Sequence, residues 1–234
     1  MKVETILSPL LFKHIDSIEN KIVVVIDILR ATSTITTIID QGAKALIAVK
    51  DETKALKYKK ENYLIGGERN GETITGFDFG NSPLQYTEEL VKDKTVVLTT
   101  TNGTKCIEMS SNANSVVIGS FLNLSAVVNY LKNKDKDVVL FCAGWKNKVN
   151  LEDSLFAGAV AHKLTNAALD DSTLICKNAY GVDGKNLFKT LQRSNHFKRL
   201  EKKGVIKDIE YCCKIDTSDI IPVLKNGLIT KDQD

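Results

Sequence analysis

Ile22-Val-Val-Val-Ile26 runs directly into Asp27-Ile-Leu-Arg-Ala-Thr-Ser-Thr34, and this passage decides the fold class. Five β-branched residues in a row do not alternate between apolar and polar. They describe a strand covered on both faces, as in a parallel sheet packed between helices. Thr95-Val-Val-Leu98 and Asp137-Val-Val-Leu-Phe141 repeat the signature, and residues 45–49, 63–65 and 115–118 supply shorter strands. Between them lie helical stretches at 51–61, opened by Asp51 as N-cap, at 123–132, opened by Asn123, and at 151–164. Strands and helices that alternate in this way form βαβ units, so the expected fold is α/β with a largely parallel central sheet.

The chain of 234 residues, 43% of them hydrophobic, can bury a large core without covalent help. Its five cysteines form no C-x-x-C pair, and Cys212 and Cys213 are adjacent, so neither a disulfide framework nor a zinc knuckle is expected. Reduced thiols point to the cytoplasm. Pro9 and Lys13 interrupt the apolar character of the first residues, and no run approaches the length of a membrane span. A net charge of +3 is too small an excess to imply nucleic acid as a partner. The expectation is one domain over 1–234, with a motif-bearing core at about 20–170 and an appended C-terminal segment at about 171–234. Within that segment a pair of helices is expected around 185–203, with short strands at 208–216 and 220–224. A basic stretch runs from Lys185 through Arg199 to Lys207, and in it Lys185, Lys189 and Arg193 fall on one helical face. It reads first as a solvated face, and second as a source of one cation for an anionic substrate.

Ligands of open α/β sheets bind beyond the carboxyl ends of the strands. Four such ends carry polar residues: Asp27, Arg30, Thr32, Ser33 and Thr34 after the first valine run; Gly66-Gly-Glu68-Arg69; Thr99-Thr-Thr101-Asn102-Gly103-Thr104; and Cys142-Ala-Gly-Trp145 leading to Glu152-Asp153. Residues 69–83 form the longest glycine-rich segment, and loops of that length are usually functional. Hydroxyls, amides and arginines suit oxyanions, while carboxylates from separate strand ends suit a hard cation such as magnesium. Together they suggest metal-assisted phosphoryl chemistry. Each residue also has a plainer role. Asp27 can cap a helix, Glu68 and Arg69 can form a surface pair, and Glu152 and Asp153 can favour a helix N-terminus. Four endings together favour a site.

Familiar phosphatase patterns do not fit. An aspartate two residues after the nucleophile is replaced by Leu29, and Lys148 stands where an arginine would follow Cys142. No P-loop or G-x-G-x-x-G follows a strand. His14, His162 and His196 lack metal-ligand spacing; His162 reads as a core or boundary residue, and His196 is open to either reading.

The set D-I-L-R-A-T-S-T, G-E-R-N-G followed by G-F-D-F-G-N-S-P, T-T-T-N-G-T, and C-A-G-W with a downstream L-E-D, spread over residues 27–153, resembles the 2-phosphosulfolactate phosphatase family. The resemblance implies a three-layer α/β/α fold and a magnesium-dependent acid phosphatase. Its reaction would convert 2-phospho-3-sulfolactate to 3-sulfolactate and phosphate, a step of coenzyme M biosynthesis. On that basis Asp27, Arg30, Glu68 and Arg69 are the expected catalytic residues. Thr32, Ser33, Thr34, Asn81, Thr101, Asn102, Gly103 and Thr104 are expected to bind substrate, and Asp27, Glu68, Glu152 and Asp153 to hold magnesium. The expected partner is a small phosphorylated or sulfonated anion, and a homodimer is compatible with the pattern. The alternatives are a phosphatase for another phosphorylated hydroxy acid or sugar, and a non-catalytic binder of such an acid.

Overall fold

The computed structural model describes residues 1–233. Its strands are β1 (Lys2–Ile6), β2 (Ile22–Ile26), β3 (Ala45–Ala48), β4 (Leu64–Arg69), β5 (Glu72–Thr73), β6 (Thr95–Thr99), β7 (Ser115–Gly119), β8 (Val138–Cys142), β9 (Ala168–Leu169), β10 (Pro222–Lys225) and β11 (Leu228–Lys231). The helices are α1 (Ala31–Asp40), α2 (Glu52–Lys57), α3 (Glu88–Val91), α4 (Gly103–Met109), α5 (Leu124–Lys134), α6 (Leu151–Lys163), α7 (Asp171–Asp183), α8 (Leu187–Leu191), α9 (Asn195–Lys202) and α10 (Ile206–Cys212).

The valine run of β2 is buried along its whole length, as expected for a strand covered on both faces. Ile22, Val24 and Ile26 point to a core shared with Leu124 and Val127 of α5, Phe156 of α6, Phe197 of α9 and Ile209 of α10. Val23 and Val25 point the other way, toward Ile35 and Ile38 of α1 and Ile107 of α4. Each such side chain contributes about 1.5–3 kcal/mol by leaving water. Helices therefore cover both faces of a mostly parallel sheet, which gives three α/β/α layers.

The strand order is β5-β4-β6-β3-β11-β10-β7-β2-β8-β1-β9. β9, β1, β8, β2 and β7 form one parallel block, and β3, β6 and β4 form another. The antiparallel pair β10–β11 sits between them and is antiparallel to both neighbours. Three reversals make the two blocks run in opposite directions at this seam. Neighbouring strands twist by roughly 20–25°, so the six steps from β2 to β4 turn the sheet by roughly 120–150°. That rotation brings the carboxyl ends of β4 and β6 back toward the carboxyl end of β2, and residues from all three ends line one cavity.

The central strands and the Asp51 cap fall where expected; the Asp51 side chain accepts from Lys54 N at 2.7 Å. Other boundaries differ. The strand expected at 63–65 continues to Arg69, so Gly66–Arg69 belong to β4 rather than to a following loop. Helix α2 stops at Lys57 and a 3-10 turn completes the stretch to Glu61. Residues 208–216 are not a strand: α10 covers their beginning, with Asp208, Ile209 and Cys212 buried at helical spacing. Helix α7, capped by Asp170, and strands β1, β9 and β11 carry no long apolar run and have no counterpart in the sequence pattern. Residues 171–233, expected as an appendage, supply β10 and β11 to the sheet, helix α9 to the cavity wall and helix α10 to the groove beside it. Among the described residues no helix is long and apolar enough to cross a membrane.

Candidate active site

Beyond β2 the chain turns into α1 around Asp27. The Thr32 hydroxyl accepts from Asp27 N at 3.0 Å, and Thr32 N donates to Asp27 O at 2.9 Å. The Asp27 carboxylate accepts a hydrogen bond from Ala31 N and lies on the wall of a narrow cavity of about 100 Å³. Gly103 permits this arrangement: a Cβ there would lie 2.5 Å from the Ala31 Cβ and 3.0 Å from Asp27 Oδ2. Arg30 also lines the cavity. Its guanidinium pairs with the buried Asp208 of α10, whose other oxygen accepts from Ser82 Oγ at 2.8 Å.

Glu68, near the end of β4, ties two loops together. One carboxylate oxygen accepts from Gly71 N at 2.7 Å, and the other from both Thr101 N and Thr101 Oγ1 at 2.8 Å. Both oxygens are thus occupied, yet the residue still forms a section of the cavity wall. Arg69 does not belong to that wall. It donates to Lys50 O at 2.7 Å, Glu68 O at 2.8 Å and Thr99 Oγ1 at 3.0 Å, and pairs with Glu52 at 2.8 Å, so it braces the back of β4.

Asp153, in the first turn of α6, is wholly buried. Its oxygens accept from Ile28 N at 2.9 Å, Gly144 N at 3.0 Å and Asn150 Nδ2 at 2.9 Å. Glu152 beside it is also wholly buried; its Oε1 lies 2.5 Å from Nδ1 of His196, and its Oε2 has no partner. His196 stands on the cavity wall in front of it and stacks on Trp145, with centroids 5.4 Å apart and planes 9° apart. Lys146 Nζ and Arg199 Cζ lie 5.0 and 5.5 Å from the Trp145 ring centroid. Neither cation has a carboxylate partner among the described residues.

These carboxylates crowd one another. Burial raises the Asp27 carboxyl well above its ordinary value, and repulsion from Asp153, Glu68 and Glu152 adds to the rise. Asp153 is pushed up to about 7, by burial and by Glu152, despite the three donors that favour its ionised form. Asp27, Glu68 and Asp153 have no ion-pair partner among the described residues to offset this crowding, and Glu152 has only His196. Among the described residues no three carboxylates, histidines or cysteines converge as a ready-made ligand set. A cation would find instead the hard oxygens of Asp27 and Glu68 on the wall, with the remaining positions left to water and ligand, which is the usual manner of magnesium.

Of the expected site residues, Asp27, Arg30, Glu68, Asn81, Thr101 and Asn102 share the cavity wall. Gly103 lies directly behind it. Thr32, Ser33, Thr34 and Thr104 are buried, and their hydroxyls bond internally: Thr32 to Asp27 N as above, Ser33 to Ile28 O at 2.9 Å, Thr34 to Asn81 O at 3.1 Å, and Thr104 to Thr100 O at 2.9 Å. Glu152 and Asp153 lie in a layer beneath. The wall also contains Asn70, Gly71, Trp145, Lys146, His196 and Arg199. Asn70, Gly71 and Trp145 fall within the motifs quoted above without a role attached to them, and sequence alone leaves His196 open to either reading and Arg199 as one of several cations in the basic stretch, any of which could reach an anionic substrate. Asn81 Oδ1 is buried without a partner, a second acceptor the protein itself leaves unfilled.

A cavity wall that combines amide and guanidinium donors, the carboxylates Asp27 and Glu68, and cations without carboxylate partners suits a small polyanion and its counter-ion. This is the chemistry of a phosphoric monoester hydrolase. A family profile described as 2-phosphosulpholactate phosphatase matches residues 8–227. A protein of Thermotoga petrophila named probable 2-phosphosulfolactate phosphatase is 45% identical over 211 residues, 90% of this chain and 92% of its own length. Proteins of the same name from Caldanaerobacter subterraneus and Clostridium novyi are 42% and 38% identical, over 93% and 99% of this chain and 93% and 100% of their own lengths. The chain belongs to the 2-phosphosulfolactate phosphatase family.

Proposed function

We propose that the cavity cleaves 2-phospho-3-sulfolactate to 3-sulfolactate and phosphate, with the phosphoryl group held against Asp27 and Glu68 in a magnesium-dependent reaction. The observation that carries this reading is the crowding of Asp27 and Glu68 on the wall over Asp153 and Glu152 beneath: burial and then these neighbours raise the Asp27 carboxyl, and ionised they would repel an anionic ester unless a divalent cation intervened. Asp27 and Glu68 would hold magnesium. Asp153, with donors on both oxygens, and Glu152, behind His196, would support that pair from beneath. When bound, magnesium would neutralise charge on the phosphoryl oxygens.

Arg30, fixed by Asp208, and the amides of Asn81 and Asn102 orient the phosphoryl group by donating to its oxygens. Asp27 in its ionised form, made more basic by burial among carboxylates, takes a proton from the water that attacks phosphorus in line. The bond from phosphorus to the ester oxygen breaks, and that oxygen leaves as the 2-hydroxyl after taking a proton from solvent. The same reading makes this a cytoplasmic enzyme of the coenzyme M type of pathway, acting alone or as a homodimer and without nucleic acid. The five free thiols agree with a reducing compartment.

The test is phosphate release from 2-phospho-3-sulfolactate by chelated protein, by protein with magnesium restored, and by Asp27→Asn. Activity should need the metal and fall by about 100-fold or more in the variant. Release by chelated protein would remove the metal from the scheme, and full activity of the variant would remove Asp27. Acid-quenched single turnovers should show no phosphorylated protein; an aspartyl phosphate on Asp27 would replace water attack with attack by the side chain.

A further inference from the structure

The reaction accounts for Asp27, Arg30 and Glu68 but leaves Trp145, Lys146, His196 and Arg199 of the same cavity wall unexplained. Of the chain's four arginines, Arg30 is neutralised by Asp208, Arg69 by Glu52 and Arg193 by Asp183. Arg199 alone has no carboxylate partner among the described residues, and it lies on the cavity wall with Lys146, which has none either. Both are held against the Trp145 ring, with His196 stacked on the same indole.

The backbone is shaped to present this group. Trp145 and Lys148 exchange hydrogen bonds, Trp145 N to Lys148 O at 2.9 Å and Lys148 N to Trp145 O at 3.0 Å. Between them Lys146 and Asn147 both have left-handed φ, 53° and 58°. Such a turn is easy for Asn-Gly but not for lysine, so the conformation that aims Lys146 at the cavity carries a cost. Gly144, with φ of 61°, approaches Lys148 O so closely that a Cβ would lie 2.3 Å from that oxygen. Glu152 fixes His196 from below at 2.5 Å, and Phe197 and Leu200 anchor α9 in the core.

We infer that Trp145, Lys146, His196 and Arg199 form a preorganised subsite for the sulfonate of the substrate, the anion that is not transferred; this rests on the proposed reaction. The carboxylate and the phosphate ester sit on the same carbon of 2-phospho-3-sulfolactate, so both stay near the metal-binding wall. The sulfonate, one carbon further, reaches away from it. A sulfonate spreads its charge over three oxygens, and two cations backed by an aromatic ring match it better than a single point charge does. The subsite thus sets specificity, and its residues do not touch the reacting atoms.

The experiment compares kcat/KM for 2-phospho-3-sulfolactate and for 2-phospholactate, in which hydrogen replaces the sulfonate, in wild type, Arg199→Met and Lys146→Met. Methionine keeps an apolar stem on Trp145. In each variant the ratio of the two kcat/KM values should fall about 10- to 100-fold, mainly through KM for the sulfonated substrate. An unchanged ratio, whether both activities hold or both fall equally, overturns the subsite. Calorimetric titration with 3-sulfolactate and with lactate decides it without turnover. Tighter binding of sulfolactate that Arg199→Met weakens by about tenfold or more supports the inference, and equal binding of the two acids overturns it. A wild type that hydrolyses neither ester but passes this titration refutes the proposed reaction and leaves the anion subsite standing.

Discussion

Asp153 makes the stability of the metal-free protein depend on pH in a direction opposite to that of ordinary surface carboxylates. Its carboxyl is raised from 3.8 to about 7 in the folded chain, by burial and by Glu152. Between these values the folded state binds a proton that the unfolded state has lost, so stability decreases as pH rises through this window. The full difference, about 3 pH units at 1.36 kcal/mol each, is roughly 4 kcal/mol. Between pH 5 and 8 about two of those units are traversed, a loss of roughly 2–3 kcal/mol. For a chain of this size that corresponds to a fall of roughly 5–10 °C in melting temperature. The assay is calorimetric melting of chelated protein at half-unit steps from pH 5 to 8. The raised Asp27 carboxyl adds a decline of the same sign; Asp27→Asn keeps an acceptor for Ala31 N while removing that titrating group, so its decline should be smaller, and magnesium should restore wild-type stability most at pH 8. A melting temperature that is flat or rises over this window, or a variant with the full wild-type slope, would refute the claim that the carboxylates repel one another uncompensated.

Two substitutions test the supports of the site. Gly103→Ala places a Cβ 2.5 Å from that of Ala31 and 3.0 Å from Asp27 Oδ2, so it should cost roughly 1–3 kcal/mol in denaturant melts and lower kcat by about 10-fold or more by displacing Asp27; wild-type turnover would show that Asp27 does not need this close approach. Asp208→Asn leaves the Arg30 guanidinium buried beside a neutral partner, and should destabilise the fold by roughly 3–5 kcal/mol in urea titrations, whereas a change within about 0.5 kcal/mol would mean that Arg30 is solvated from the cavity.

The elements of the fold that can be read from sequence are those whose burial imposes a period or a continuous apolar run. β2, β6 and β8 must exclude polar residues from both faces, and that requirement is written into consecutive residues. The edge strand β9, its neighbour β1 and the pair β10–β11 are short or only partly buried, so Lys2–Ile6 and Leu228–Lys231 mix polar with apolar positions and resemble loops. The reversal of the β3-β6-β4 block depends on a pair from the far end of the chain entering the middle of the sheet, which no local pattern records.

At the site, position is more legible than role. Asp27, Arg30, Glu68, Asn81, Thr101 and Asn102 reach the cavity because strand ends in this architecture converge there. A threonine or serine at such an end is ambiguous, because its hydroxyl satisfies a ligand or the backbone equally well. Ser33, Thr36 and Thr37 all donate to carbonyls four or five residues back, and the hydroxyl-rich start of α1 packs against the core instead of facing the cavity. Arg199 and His196 lie on a helix far along the chain from Trp145, and within that helix they look like any polar face. Residue choice nevertheless holds a signal. Lysine serves where a charge only needs to reach water, and this chain uses it for all but four of its 32 basic residues. Arginine is worth keeping where a planar donor must meet a carboxylate, an aromatic face or an oxyanion in fixed geometry. Three of the four arginines do so at or directly behind the cavity, Arg30 on Asp208, Arg69 behind Glu68 and Arg199 on Trp145. In a lysine-rich chain the scarce arginines point to the site even when their motifs do not.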